Sequence, residues 1–227
     1  MDESERHDPT QQEATSTTAP GWEVGAPASS FAPATDDADA LLLLRYAAGD
    51  ASAFTRLYDR HERPVFRFLL RSLGNAGVAE DLHQEIWMSV IRGAASFQPQ
   101  ARFTTWLYRI ARNRLIDHWR AADPDVMRSL DEAANEGSED TLGDSLPAER
   151  SSQPEVRIED REQARRYVAA VEALPAAQRE AFLLHVQAGL SLQQVSALTG
   201  AGAETFKSRL RYASARLRAS VQSGSSA

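Results

Sequence analysis

Glu80 and His83 form a Glu-x-x-His step, the spacing that sets a carboxylate and an imidazole on one helix face and supplies part of a di-iron centre in helical bundles. A complete centre needs a second such step and two further glutamates, and no second copy occurs outside this helix. Glu180 and His185 stand five apart, which points them to different faces. No Ser sits in a nucleophile elbow and no Gly-rich loop has phosphate-binding spacing. Without cysteine, thiol nucleophiles, thiolate metal sites and disulfides are all excluded. The sequence therefore predicts no catalytic residues, no metal and no cofactor, and a di-iron oxidoreductase is only a remote alternative. His83 and His118 read as boundary residues.

Chemistry of another kind is concentrated in two neighbouring stretches. On a helix from about Val78 to Arg92, Leu82, Ile86 and Val90 share one side with Ala79, while Asp81, Gln84, Glu85 and Met88 share the other. An acidic face repels DNA and suits a protein partner. The next helix, about Phe103 to Arg120, has an apolar stripe of Phe103, Trp106, Leu107, Ile110 and Ala111. Arg102, Thr105, Arg109, Arg112, Ile116, Trp119 and Arg120 are expected to project away from it. Basic and aromatic side chains together suit nucleic acid.

Glu-Asp-Leu-x-Gln-Glu at 80–85, followed by Thr-Trp-Leu-Tyr-x-Ile-Ala-x-Asn at 105–113, resembles region 2 of the extracytoplasmic-function (ECF) sigma factors of bacterial RNA polymerase. The resemblance runs from about Leu41 to Arg120, and a second, to region 4, covers about Ala164 to Ala219. It implies that Asp81, Gln84 and Glu85, with Met88 on the same face, meet the clamp coiled coil of the polymerase largest subunit. It also implies contact of the second helix with the opened -10 element, with bases stacking on Trp119 or Tyr108 and Arg109, Arg112 and Arg120 holding phosphates. In that family the loop from Gly93 to Arg102 pockets a flipped base. Phe97 in this loop is a candidate for that pocket and equally for a plug in the core.

Charge divides the chain further. Residues 1–40 carry 1 basic and 9 acidic side chains (net −8), 41–122 carry 12 and 7 (+5), 123–160 carry 3 and 12 (−9), and 161–227 carry 9 and 4 (+5). Two basic blocks separated by acid suggest two nucleic-acid-facing domains, which the net charge of −7 conceals. Residues 1–35 lack periodicity and read as a disordered tail holding Trp22 and Phe31. Residues 122–160, with Pro124, Pro147 and Pro154, read as a flexible acidic linker, and 221–227 as a second tail.

The elements follow. Asp36 or Asp37 caps a first helix to Ala48, and Gly49-Asp50 ends it and caps the next. Pro64 is expected to kink or break that second helix, which Gly74-Asn75-Ala76-Gly77 closes. After the linker, a helix from Glu162 to Ala173 precedes one opened by Leu174-Pro175, whose apolar side is Ala181, Phe182, Leu184 and Val186. Ser191 to Gln194 reads as a capping box, Thr199 to Gly202 as a turn, and 203–219 as a helix burying Phe206, Leu210, Ala213 and Leu217. Short helix, turn and basic helix make a helix-turn-helix. Lys207-Ser208-Arg209-Leu210 matches the family's recognition helix, so Thr205, Lys207, Ser208, Arg209, Arg211, Tyr212 and Arg216 are candidates to read a -35 element.

The expected fold is all-α: a region 2 domain over 36–121, the linker, and a region 4 domain over 161–220. The expected function is a non-catalytic cytoplasmic sigma factor that binds core RNA polymerase, recognises -35 and -10 elements and promotes melting. An anti-sigma factor is a further partner implied by the resemblance, though no residue identifies one. An ordinary helix-turn-helix regulator is the alternative, and it leaves the acidic face unexplained. No apolar run is long enough to span a membrane, and the N-terminus lacks the pattern of a signal peptide.

Overall fold

Side-chain caps at Asp37, Asp50, Asn75 and Ser191 set the starts of four helices. The structure, a computed structural model, describes residues 37–122, 125–127, 130 and 159–223. The expected tail over 1–35, with Trp22 and Phe31, lies outside them, as does most of the expected linker. Asp37 opens α1 (Ala38–Ala47), its Oδ1 accepting from Asp39 N at 3.1 Å. Asp50 opens α2 (Ala51–Leu73) by accepting from Ala53 N. Hydrogen bonds from Ser52 and Arg45 hold the Asp50 carboxyl down to about 2. Asn75 opens α3 (Ala76–Gly93) by accepting from Val78 N. A 3-10 turn over Ala94–Ser96 leads to α4 (Phe103–Ala122).

Pro64 does not break α2, which runs unbroken through it. Leu57 and Val65 are fully buried on the two sides of the proline, with Phe68 and Leu69 beyond. Burial of four such side chains, about 1.5–3 kcal/mol each, outweighs the roughly 3 kcal/mol that an interior proline costs. The first four helices enclose Leu43, Leu57, Phe68, Ile86, Phe103, Leu107 and Leu115. Within the stretch expected as linker, residues 125–127 are helical and Leu130 is buried, with Val126 and Met127 packed at the edge of the core.

The second half comprises α5 (Glu159–Glu172), α6 (Ala176–Phe182), a π turn over Leu183–Gln187, α7 (Leu192–Thr199) and α8 (Ala203–Ser223). No strand occurs among the described residues. Pro175 stands at the N-cap of α6 rather than inside its first turn. The π turn is a departure from the expected helix. Its wider spacing turns Val186 outward, 52% exposed, and leaves Leu183 and Leu184 as the buried pair. Ser191 and Gln194 form a reciprocal capping box on α7. Gly200, at φ +74, ends α7 in a left-handed conformation that side-chain-bearing residues rarely adopt. Phe206, Leu210, Ala213 and Leu217 are buried along α8, as the stripe predicts. All the described residues belong to one compact unit.

Candidate nucleic-acid interface

The acidic face of α3 stands in solvent: Asp81, Gln84, Glu85 and Met88 are all exposed, while Leu82, Ile86 and Val90 are buried beneath them. Met88 is half exposed and Ile91 continues its apolar surface one turn on. Glu85 lies 4.0 Å from Arg114, whose Nη2 donates to Ser89 at 3.2 Å, so one basic residue of α4 borders the patch. Charge beside exposed apolar surface is the composition of a protein contact.

His83, on the flank of α3, is occupied. Its Nε2 lies 2.9 Å from Trp87 Nε1 and 3.1 Å from Glu62 O. An indole N–H can only donate and a carbonyl oxygen can only accept, so Nε2 serves Trp87 when the proton sits on Nδ1 and Glu62 O when it sits on Nε2. Burial lowers the imidazole's affinity for a second proton, which favours the neutral ring. The nitrogen required by the di-iron alternative is thus already bonded. Among the described residues, no three His, Cys, Asp or Glu side chains gather closely enough to hold a metal.

On α4 the expected faces need correction. Arg102 and Arg120 are exposed and Arg109 is partly so, but Tyr108 and Trp119 are buried, at 2% and 6% exposure. The buried stripe advances by four, through Phe103, Leu107, Ala111, Leu115 and Trp119, and Tyr108 joins it from beside. Tyr108 meets Phe68 edge-on at 5.3 Å, and burial raises its hydroxyl pKa well above the usual value. Neither ring offers a face to a base. Phe97 plugs the core as well, 7% exposed and edge-on to Trp106 at 5.2 Å. Trp106 lies so close to Gly93 that a Cβ there would stand 3.0 Å from its ring. Trp106, half-buried beside the loop, is the aromatic that the stripe assignment concealed.

The recognition helix is also only partly as expected. Lys207, Tyr212 and Arg216 are exposed, and Thr205, Ser208 and Arg211 are half-buried. Lys207 pairs with Glu204 at 2.7 Å, and the Arg211 guanidinium lies 5.3 Å from the Tyr212 ring centre. Arg209 is buried at 7% exposure, with Nε and Nη2 lacking hydrogen-bond partners, and so presents nothing to a base edge. It lies one residue before buried Leu210, and the width of the apolar stripe takes it inside.

Contacts between the two halves were not legible in either stretch. Arg112 Nε donates to Glu180 Oε1 at 2.7 Å, and Nη1 to Leu198 O at 3.3 Å. Gln187, turned by the π segment, accepts from Arg71 at 2.9 Å and donates to Pro64 O at 3.2 Å. Gln194 Nε2 donates to Thr105 Oγ1 at 2.9 Å. Glu180 is the residue that sequence reasoning missed. Its signal is a carboxylate inside the run Ala181 to Leu184, in a block with only three other acids.

No helix among the described residues is long and apolar enough to cross a membrane. Family models for Sigma-70 region 2 and Sigma-70 region 4 match residues 57–124 and 164–217. The chain is 31% identical over 192 residues to the ECF RNA polymerase sigma factor SigM of Mycobacterium tuberculosis, covering 84% of this chain and 88% of that one. It is 32% identical over 180 residues to the ECF RNA polymerase sigma factor SigK of Mycobacterium sp. (strain KMS), covering 78% and 86%. Among solved structures it shares the fold of the sigma factor RpoE in complex with the anti-sigma factor NepR from Bartonella quintana. That match has a TM-score of 0.54 and 23% identity, and covers 76% of this chain and 98% of that one.

Proposed function

The chain belongs to the ECF sigma factors of bacterial RNA polymerase, and from that membership and the surfaces above we propose how it divides the labour of promoter recognition. The exposed Asp81, Gln84, Glu85 and Met88 bind core polymerase at the largest-subunit clamp. The observation that carries this is one helix with a continuous buried row and, opposite it, acid beside exposed Met88 and Ile91. Such a face has no use against a polyanion, and it sets this reading above that of a free-standing helix-turn-helix regulator.

Arg102, Arg109 and Arg120, with Arg112 when released from Glu180, hold the backbone of the opened -10 strand, and Trp106 at the loop is the aromatic available to an unpaired base. Lys207, Ser208, Arg211, Tyr212 and Arg216, with Thr205 at the helix start, engage the -35 duplex in the major groove. The polymerase performs the chemistry, so the chain is a cytoplasmic, non-catalytic subunit. An anti-sigma factor, as NepR is to RpoE, is a further partner. Run-off transcription with purified core polymerase tests the whole reading. Initiation at discrete promoters that depends on both elements is expected, and core enzyme that stays equally inactive with and without the chain would reject it.

A further inference from the structure

Arginine is concentrated on a helix to which no role in DNA contact has yet been given. Arg56, Arg60, Arg63, Arg67 and Arg71 of α2 make up five of the 12 basic residues in 41–122, and they follow one another by four, three, four and four. That spacing sets all five on one face of the helix, and the first four are exposed. Like charges at such intervals destabilise a helix unless something offsets them. Arg60 pairs with Asp39, Arg63 lies 3.4 Å from Glu62, and Arg71 donates to Gln187. Among the described residues, no ion pair or hydrogen bond reaches the side chains of Arg56 and Arg67.

Beside this row, between α2 and α3, opens a cleft of about 440 Å³ lined by Tyr58, Glu62, Arg63, Phe66, Arg67 and His83. Its three rings touch and are only half-buried: Phe66 meets His83 edge-on at 5.8 Å, and Tyr58 lies 6.4 Å from the same imidazole. Half-open rings with guanidiniums at the rim are the two parts of a single-strand site, a π surface for a base and cations for the phosphates that flank it. An acidic protein segment would satisfy the arginines and leave the rings unused. Phe68, which follows Arg67 and so points about 100° further round the helix, packs on Tyr108 of α4. The row therefore looks aside from α4 and forms a surface separate from the one assigned there.

We propose that the arginine row of α2 and the cleft beside it bind a single strand of DNA, with a base in the cleft and successive phosphates on Arg56, Arg63 and Arg67. The choice of DNA rests on the sigma-factor function given above, since promoter melting supplies the unpaired strand.

The test is fluorescence anisotropy of a labelled, mixed-sequence single-stranded DNA about 15 nucleotides long, titrated with the full-length chain across a salt series. Each phosphate contact adds about 0.7 to the steepness of log affinity against log salt on a single strand. The combined variant Arg56→Gln, Arg63→Gln and Arg67→Gln should therefore flatten the slope by about 2. Phe66→Leu should weaken binding about tenfold and leave the slope as it is. Circular dichroism checks that both variants stay folded. No binding by wild type, a folded triple variant with the wild-type slope, or a folded Phe66→Leu chain with wild-type affinity would each overturn the site. Core polymerase separates this site from the function on which it rests. The triple variant should bind core as tightly as wild type does, and weaker binding by the variant alone would make the row a polymerase contact and overturn the strand site. Failure of wild type and variant alike to bind core would reject the sigma-factor reading and leave the measured strand binding standing.

Discussion

Asp37 Oδ2 accepts from the backbone N–H of Phe103 at 2.7 Å, while Oδ1 of the same carboxylate caps α1 through Asp39 N. One side chain thus closes the N-termini of two helices, reaching a backbone group 66 positions on, and pins α1 to the start of α4. An N-cap contributes about 1 kcal/mol, and a second, partly buried donor left unpaired adds a comparable amount. Asp37→Ala should therefore lower stability by about 2 kcal/mol, and Asp37→Asn by less. Urea unfolding of the two variants checks this, with equal stabilities for Asp37→Ala and wild type as the contradicting result.

How far such features could be foreseen depends on their range. The caps at Asp37, Asp50 and Ser191 were legible because each bonds to a backbone group two or three residues on, and so was the apolar row of α8. The second bond of Asp37, to Phe103, was not, since nothing local records it. Trp119 and Tyr108 were misplaced because an aromatic among arginines suits DNA and a core equally, and only the packing of α4 on α2 decides. Arg209 and Glu180 escaped for a related reason: residue type reports charge, and burial with a partner 68 positions away comes from tertiary contact.

Trp119, 6% exposed at the end of the buried row, should behave as a core residue. Trp119→Ala is expected to cost about 3–5 kcal/mol of folding stability. Thermal unfolding should show a large fall in midpoint. A stable variant defective only in promoter opening, tested by permanganate footprinting on duplex and premelted templates, would restore Trp119 to the DNA-facing surface.

His83 makes stability depend on pH with a definite sign. Burial lowers its pKa in the folded chain below the ordinary value of about 6.5, so the unfolded chain takes up the proton first. Stability should then fall as pH drops below about 6.5 and stop falling on this account once the folded imidazole titrates. His83→Gln should flatten that part of the profile. Denaturation midpoints between pH 5 and 7.5 check it, and identical profiles for variant and wild type would contradict it.

Tyr212, 40% exposed on α8 beneath the Arg211 guanidinium, is the aromatic residue that the recognition helix holds open to solvent. A phenol lacks the bidentate fork that arginine offers to guanine, so Tyr212→Arg should add a preference for guanine at one position of the -35 element, by about 1–3 kcal/mol. Selection from randomised duplexes with reconstituted polymerase reads this out. The same preferences in both proteins would remove Tyr212 from the base-reading set.

The polymerase-facing role of α3 is the central claim, and Glu85 is its most exposed test, since its ion contact with Arg114 is long and its neighbours Gln84 and Met88 are open to solvent. Loss of one partner of an interfacial charge pair costs about 2–5 kcal/mol, whereas a solvated surface charge contributes about 0–1 kcal/mol. The direct measurement is the affinity of purified core polymerase for Glu85→Lys against wild type, with thermal unfolding run alongside. The account predicts an affinity loss of about 30-fold or more at an unchanged unfolding temperature. A folded Glu85→Lys chain that binds core polymerase as tightly as wild type would contradict it.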